Sequence, residues 1–259
     1  MEAALTLVRT TEPDLGGPAD GSSPWPRSDL VRVFDEDPDL LTGLDPRTTD
    51  LLRRRATVPK LWIEPGPWEP PAEGADTCGC FGLLVLDGLM MRSLHLDGRE
   101  CPELVGAGDL LRPWTDTGSD SSIQSRVSWT ALERTTVAVL DDRFAAAVSS
   151  WPTIMCELLS RAVQRSRTLA FHLAIVHVRH AETRLHMLLW HLADRWGRVT
   201  PDGVHVPLAL THERLAHLVC MRRPTASTAL QRLARAGELR RRPDGTWRLT
   251  GSPPVLPAS

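Results

Sequence analysis

Arg222 and Arg223 head a segment whose residue types suit hydrogen bonding to the bases and phosphates of a polyanion. An arginine guanidinium donates two parallel hydrogen bonds, which match the O6 and N7 acceptors of a guanine edge. A threonine methyl fits against a thymine methyl. Ser227, Thr228 and Gln231 continue that side at helical spacing, while Ala226, Ala229, Leu230 and Leu233 take the other. Pro224 has neither donor nor acceptor in its side chain, but the first turn of a helix accommodates it. A buried apolar face behind a polar, basic one is what a helix needs to lie in the major groove. A catalytic site has no such need.

Other chemistry is less well served. Cys78-x-Cys80 with Cys101 invites a redox or iron–sulfur reading, but a cluster takes four thiolates, and the fourth would have to be the distant Cys156 or Cys220. His172, His177, His180, His186 and His191 could hold haem or zinc near residue 180. Only His177 and His180 are spaced to share one helix face, and solvated or interface histidines explain the group as well. No Ser-His-Asp set, Gly-rich phosphate loop or carboxylate pair stands out, so the chain reads as a non-enzyme, with no metal and no cofactor expected.

The elements around Arg223 can be read from the same stretch. Thr211 is placed to cap a short helix carrying Leu215, Leu218 and Val219. Cys220-Met221-Arg222 breaks it, and the helix from Arg223 follows. If the break needs a positive φ, cysteine at 220 is strained by roughly 1 kcal/mol. Residues 240–249, RRRPDGTWRL, read as a hairpin turning at Asp244-Gly245, a basic wing beside the second helix. Thr211 and Arg241 or Arg242 are then placed for phosphate contact.

Charge is distributed unevenly. The 259 residues carry −2 overall, but from Pro201 onward nine arginines face four acids, leaving −7 on residues 1–200. A basic lobe on an acidic body is a footprint for a polyanion. There is one lysine, Lys60, and the five cysteines are too few and scattered for a disulfide framework. No apolar run approaches a membrane span and the N-terminus lacks a signal-like apolar core, so a cytoplasmic protein is expected.

Upstream, residues 1–28 are rich in Gly, Pro, Ser and Asp and are expected to be flexible. Asp45-Pro46 should start a helix. From Val58 to Leu140 short apolar runs recur between turn signals such as Asp87-Gly88 and Asp97-Gly98, which predicts an antiparallel barrel or sandwich. A short helix is expected over Asp141–Ser149. Trp151-Pro152 should start a long one, with Ile154, Leu158, Ala162, Leu169, Leu173 and Val176 along one side as a coiled-coil-like seam. Another helix ends at Trp196-Gly197, where glycine suits a C-cap. A hairpin turning at Asp202-Gly203 leads to Leu210.

This order resembles the Crp/Fnr family of transcription regulators over about residues 30–250, most specifically in LTHERLAHLV…RRPT…ALQRLARAGEL and more softly in Gly88 and ELVGAGDLL. The resemblance implies an α+β chain in five parts. These are a flexible segment 1–28, a cyclic-nucleotide-binding-like β-roll sensor over 29–150, a dimerisation helix over 151–179, a winged helix-turn-helix over 180–250 and a flexible tail 251–259. It implies a homodimer through Leu158, Ala162, Leu169, Leu173 and Val176, with double-stranded DNA and RNA polymerase as partners and no membrane. The DNA-facing set is then Thr211, Arg222, Arg223, Pro224, Ser227, Thr228, Gln231, Arg241 and Arg242.

The chain also departs from the family. Cyclic AMP-binding members follow Gly-Asp with a Gly-Glu-Leu segment and hold the cyclic phosphate with an Arg-Ser/Thr pair. Here Arg112-Pro113-Trp114 follow Asp109-Leu-Leu, and the pair is inverted as Ser125-Arg126, so Arg126 should point to the opposite face of its strand. Arg112, Trp114, Ser125 and Arg126 are the candidate effector pocket, not expected to take cyclic AMP in the usual way. A small-molecule effector is implied but not identified. The base-reading Arg-Glu-x-x-x-Arg of well-known members is here Arg223-Pro224-x-x-x-Thr228, so the operator should differ. An alternative keeps the fold but makes the chain a sensor or protein-interaction module with a vestigial helix-turn-helix.

Overall fold

Two-residue alternation builds the N-terminal lobe. In β4 (Gly82–Asp87) and β9 (Thr135–Leu140), Leu83, Val85, Val137 and Val139 point to one face and Leu84, Ala138 and Leu140 to the other. Both sets are buried because this sheet is covered on both sides. The computed structural model describes residues 29–70, 81–116 and 123–254. The segment 1–28, Cys78, Cys80 and residues 255–259 of the tail lie outside the described residues.

The first sheet is five-stranded, with β1 (Asp29–Arg32), β2 (Thr57–Ile63), β9, β4 and β7 (Leu110–Leu111) in that order. The second is four-stranded, with β3 (Gly66–Trp68), β8 (Arg126–Ala131), β5 (Leu89–Leu96) and β6 (Arg99–Gly106). All the pairings are antiparallel. Between the sheets pack Leu61, Ile63, Met90, Val105, Trp114 and Trp129. Each fully buried aliphatic side chain contributes about 1.5–3 kcal/mol. β1 and β3, of four and three residues, were not anticipated, being too short to show periodicity. The β5–β6 connection is the expected Asp97-Gly98 hairpin; φ is 48° and 68° there, positive at both residues as a type I′ turn requires.

The outer face of the five-stranded sheet is roofed by helices. Phe34 of α1 (Val33–Glu36), Leu52 of α2 (Pro46–Arg55), Phe144 of α3 (Asp142–Val148) and Ile154 and Leu158 of α4 (Pro152–Val176) form one apolar cluster over it. Asp45 caps α2 as expected, accepting from the N–H groups of Arg47 and Thr48.

α4 has the expected position and 25-residue length, and the residues expected along its seam differ in exposure. Leu158 is 2 % exposed and locked in its own lobe's core. Leu169 and Val176 are half-buried, and only Ala162 and Leu173 are exposed. The free apolar stripe lies about one residue on, through Met155, Leu159, Val163 and Leu173. Spacings of three, four and seven fit either of two adjacent stripes, so the sequence pattern alone does not tell which one the β-roll covers.

After a break at 177–180, α5 (Ala181–Trp196) carries Leu185, Leu188, Leu189 and Leu192 into the C-terminal core. Gly197 caps it as expected, with extended φ and ψ of −68° and 149°. Glycine is needed there for clearance, since a Cβ would sit 2.4 Å from the Ala193 carbonyl oxygen. The two lobes share apolar contacts. Leu89 of β5 belongs to the C-terminal cluster, and Leu104 packs against it. Arg195 of α5 reaches back to Asp109 at 2.8 Å and to the Ala107 carbonyl at 3.1 Å.

Candidate nucleic-acid interface

Two short helices and a four-stranded sheet present the basic face. α6 (His212–Leu218) is capped by Thr211, whose hydroxyl accepts from the Arg214 N–H at 3.2 Å. α7 (Arg223–Arg235) buries Ala226, Ala229, Leu230 and Leu233 and carries Pro224 in its first turn. It ends in a Schellman motif. Glu238 N–H donates to Leu233 and Gly237 N–H to Ala234, with Gly237 left-handed at φ 77°. That reversal feeds the chain into the wing, β12 (Leu239–Arg241) and β13 (Trp247–Leu249), which joins β11 (Gly203–Val206) and β10 (Arg198–Thr200) in one sheet.

Trp247 seats the wing on the helices. It is 1 % exposed, and its indole N–H donates to the Leu210 carbonyl at 3.0 Å. Its ring lies 5.9 Å from that of His212, and the Arg241 guanidinium lies 5.9 Å from its centroid. Burial lowers the pKa of His212, and the nearby Arg241 and Arg223 lower it further. α6, α7 and the wing therefore converge on one electropositive focus. His212 was not among the residues expected from sequence; the wing's return brings Trp247, and with it Arg241, beside its ring.

The expected contact residues fall into two groups. Arg222, Arg223, Pro224, Gln231, Arg241 and Arg242 are exposed. Two hydroxyls already have partners. Ser227 is half-buried and sits 3.1 Å from His212 Nδ1, and Thr228 donates to the Pro224 carbonyl at 3.0 Å, leaving its methyl and lone pairs outward. Arg242 lies 3.8 Å from Asp244 in the wing turn, an exposed pair that competes weakly with a phosphate.

The break between the helices requires what the sequence suggested. Cys220 has φ 51°, left-handed for a residue with a Cβ. Cys220→Gly should therefore raise stability by about 1 kcal/mol, read as a higher urea midpoint at unchanged slope. An unchanged or lower midpoint would show that the thiol's contacts outweigh the strain.

The candidate effector residues differ in exposure, and Ser125 is half-buried just before β8. Trp114 is buried between the sheets and Arg112 is exposed. Arg126 opens β8 on the face opposite Val127, Trp129 and Ala131, and is exposed. The large cleft lies elsewhere. A space of about 830 Å³ opens between the β-roll, α4 and α5, lined among others by Asp37, Asp109, Arg161, Arg165, His191 and Arg195. Several of its cations are already paired: Arg161 with Asp37, Arg195 with Asp109, and Arg165 with Glu103 at 2.6 Å.

Three of the five histidines make contacts within the fold, while His177 and His180 are exposed. His172 donates to the Leu218 carbonyl at 2.7 Å, His191 packs on Phe171 at 4.9 Å, and Trp190 donates to His186 at 3.0 Å. Burial holds all three below the usual histidine pKa, so they are neutral near pH 7. Among the described residues, no three His, Cys, Asp or Glu side chains are arranged to hold a metal ion.

A sequence model of the Crp-like helix-turn-helix domain matches residues 183–250. No curated protein matches the chain. Solved structures do. A mutant CooA from Carboxydothermus hydrogenoformans is 22 % identical with a TM-score of 0.54, covering 74 % of this chain and 83 % of that one. CLP from Xanthomonas campestris, described as a c-di-GMP responsive global regulator, is 18 % identical at 0.54, covering 80 % and 100 %. A cyclic nucleotide-binding domain containing protein from Listeria monocytogenes is 18 % identical at 0.56, covering 70 % and 84 %. Among the described residues, no helix is long and apolar enough to cross a membrane. Residues 183–250 are a Crp-like helix-turn-helix domain, and the chain that carries them shares the fold of these solved structures.

Proposed function

We propose that the chain is a homodimeric transcription regulator that reads a near-palindromic DNA site. The observation that carries this reading is the exposed start of α7. Arg222 and Arg223 stand free on a helix whose other face is buried, beside a wing that brings Arg241 to the same focus. Helix α7 enters the major groove, Arg223 pairs with a guanine, and Thr211 and Arg242 take phosphates. The exposed stripe on α4 supplies the two-fold contact with a second copy, which spaces two half-sites about one helical turn apart. Contact with RNA polymerase belongs to the same reading.

The β-roll does not take cyclic AMP in the usual way. Supporting this, Arg126 faces away from the sandwich interior and Trp114 helps to fill that interior. Calorimetry with cyclic AMP should give no specific heat; tight stoichiometric binding would overturn that part of the reading.

Selection of bound sequences from random duplex DNA should yield an inverted repeat. Arg223→Ala should cost about 1–3 kcal/mol on the selected site and little on random DNA. Equal loss on both would reduce Arg223 to a phosphate contact. Failure to enrich any sequence between 50 and 200 mM salt would overturn the function and favour a sensor with a vestigial DNA-binding lobe.

A further inference from the structure

Cys220 sits in the one break on which the DNA-reading helices pivot, and it is not alone there. The β5–β6 hairpin of the β-roll reaches across to it. Cys220 Sγ lies 3.8 Å from the Glu100 carbonyl oxygen, and Glu100 also pairs with His217 of α6 at 3.4 Å. Cys101 follows Glu100 directly, so the same contact places it beside Cys220, whose thiol feels its presence. Both residues are exposed overall, and the Cys220 thiol is partly covered by the hairpin yet open on one side to a small oxidant. The type I′ turn at Asp97-Gly98 and the ladder partner Leu94 hold Cys101 on a rigid ribbon.

Backbone strain points the same way. A residue with a Cβ at φ 51° is unfavourable by roughly 1 kcal/mol, and glycine would relieve it. A thiol kept in a strained position, opposite a second thiol from another lobe, is an outlier that calls for a role. Metal binding does not supply it, since no group of three metal-ligating side chains is present among the described residues.

We propose that Cys101 and Cys220 form a reversible disulfide that ties the β-roll to the helix-turn-helix. One thiolate attacks a peroxide oxygen and becomes a sulfenic acid, releasing hydroxide. The second thiolate attacks that sulfur and displaces a second hydroxide, and the two protons lost when the thiols ionised convert both hydroxides to water. Two thiols and one hydrogen peroxide thus give one disulfide and two waters, and a cellular dithiol reverses the step by exchange. Burial, with Cys101 beside it, raises the pKa of Cys220, so oxidation is slow at neutral pH and speeds up as pH rises. The bond fixes the break two residues before Arg222 and holds the DNA-binding lobe in the orientation seen here. Its regulatory consequence rests on the proposed DNA-binding function; its formation does not.

The test treats the full-length reduced protein with hydrogen peroxide and maps its peptides without reduction. A peptide pair joining Cys101 to Cys220 within one chain is expected, absent from Cys101→Ser and from Cys220→Gly, the latter relieving the backbone rather than straining it. Amide exchange in α6 and at the start of α7 should slow on oxidation of the wild type and not of either variant. Over-oxidised thiols, bonds between chains or pairings with other cysteines alone would overturn the proposal, as would a bond that leaves exchange unchanged. On the selected operator, oxidised and reduced wild type should differ by at least about fivefold in affinity, while Cys101→Ser does not respond. A bond without that difference would overturn the switch, and absent operator binding in both forms would instead strike the DNA-binding reading.

Discussion

Trp247→Ala is expected to destabilise the C-terminal lobe by about 3–5 kcal/mol, enough to lower its urea midpoint severely. The indole is 1 % exposed within the cluster that includes Leu215, Leu233, Leu239 and Leu249, and nothing nearby can fill its volume. The Leu210 carbonyl loses its donor as well. The effect on DNA binding should persist at temperatures where the lobe is still folded, because Arg241 and His212 both rest on that ring. Trp247→Phe separates the two contributions. It keeps most of the packing and loses the hydrogen bond, a cost of about 1–2 kcal/mol. A loss below about 1 kcal/mol for the alanine variant would show that the wing is seated by its strand pairing alone.

Leu159→Asp should convert the proposed dimer to monomers at micromolar concentration. Leu159 is 65 % exposed in the isolated chain, in the middle of the stripe through Met155, Val163 and Leu173. A two-fold contact meets its own copy, so one substitution places two carboxylates in the same interface. Each is desolvated without a partner, at a cost of about 3–5 kcal/mol. Sedimentation should report one chain per particle. Affinity for a two-half-site operator should fall by about a hundredfold or more, since a monomer engages one half-site and loses the effective concentration of the second. Binding to random DNA should change far less. A dimer that survives the substitution would place the interface elsewhere.

Local signals were legible in the chain. Asp97-Gly98 and Asp202-Gly203 set two hairpins, Trp151-Pro152 set the start of the long helix, and Thr211 set the cap of the first DNA-proximal helix. Each depends on residues a few positions apart, which is the range over which turn and cap chemistry acts. What was not legible depends on distant parts of the chain. Leu158 and Leu159 are equivalent in sequence, and only the roof over the five-stranded sheet decides which is buried. His212 joins the basic focus through a wing that returns more than thirty residues later. Trp114, on a helical turn after β7, fills the sandwich interior, while Arg126 lies on the outer face of β8; neither placement follows from their position in the sequence. The Arg195–Asp109 link joins side chains whose types offered no local reason to pair.

The contacts that Leu89 and Leu104 make with the C-terminal lobe set a threshold for any effector. To swing that lobe away, the chain must return those two side chains and the Gly106–Trp196 contact to water. At about 1.5–3 kcal/mol for a buried leucine, opening this seam costs roughly 3 kcal/mol or more before any new contact forms. A ligand shifts the equilibrium only through its difference in affinity for the closed and swung states. A compound that prefers the swung state by tenfold would leave nearly all molecules closed; one that drives the transition must discriminate by more than about a hundredfold.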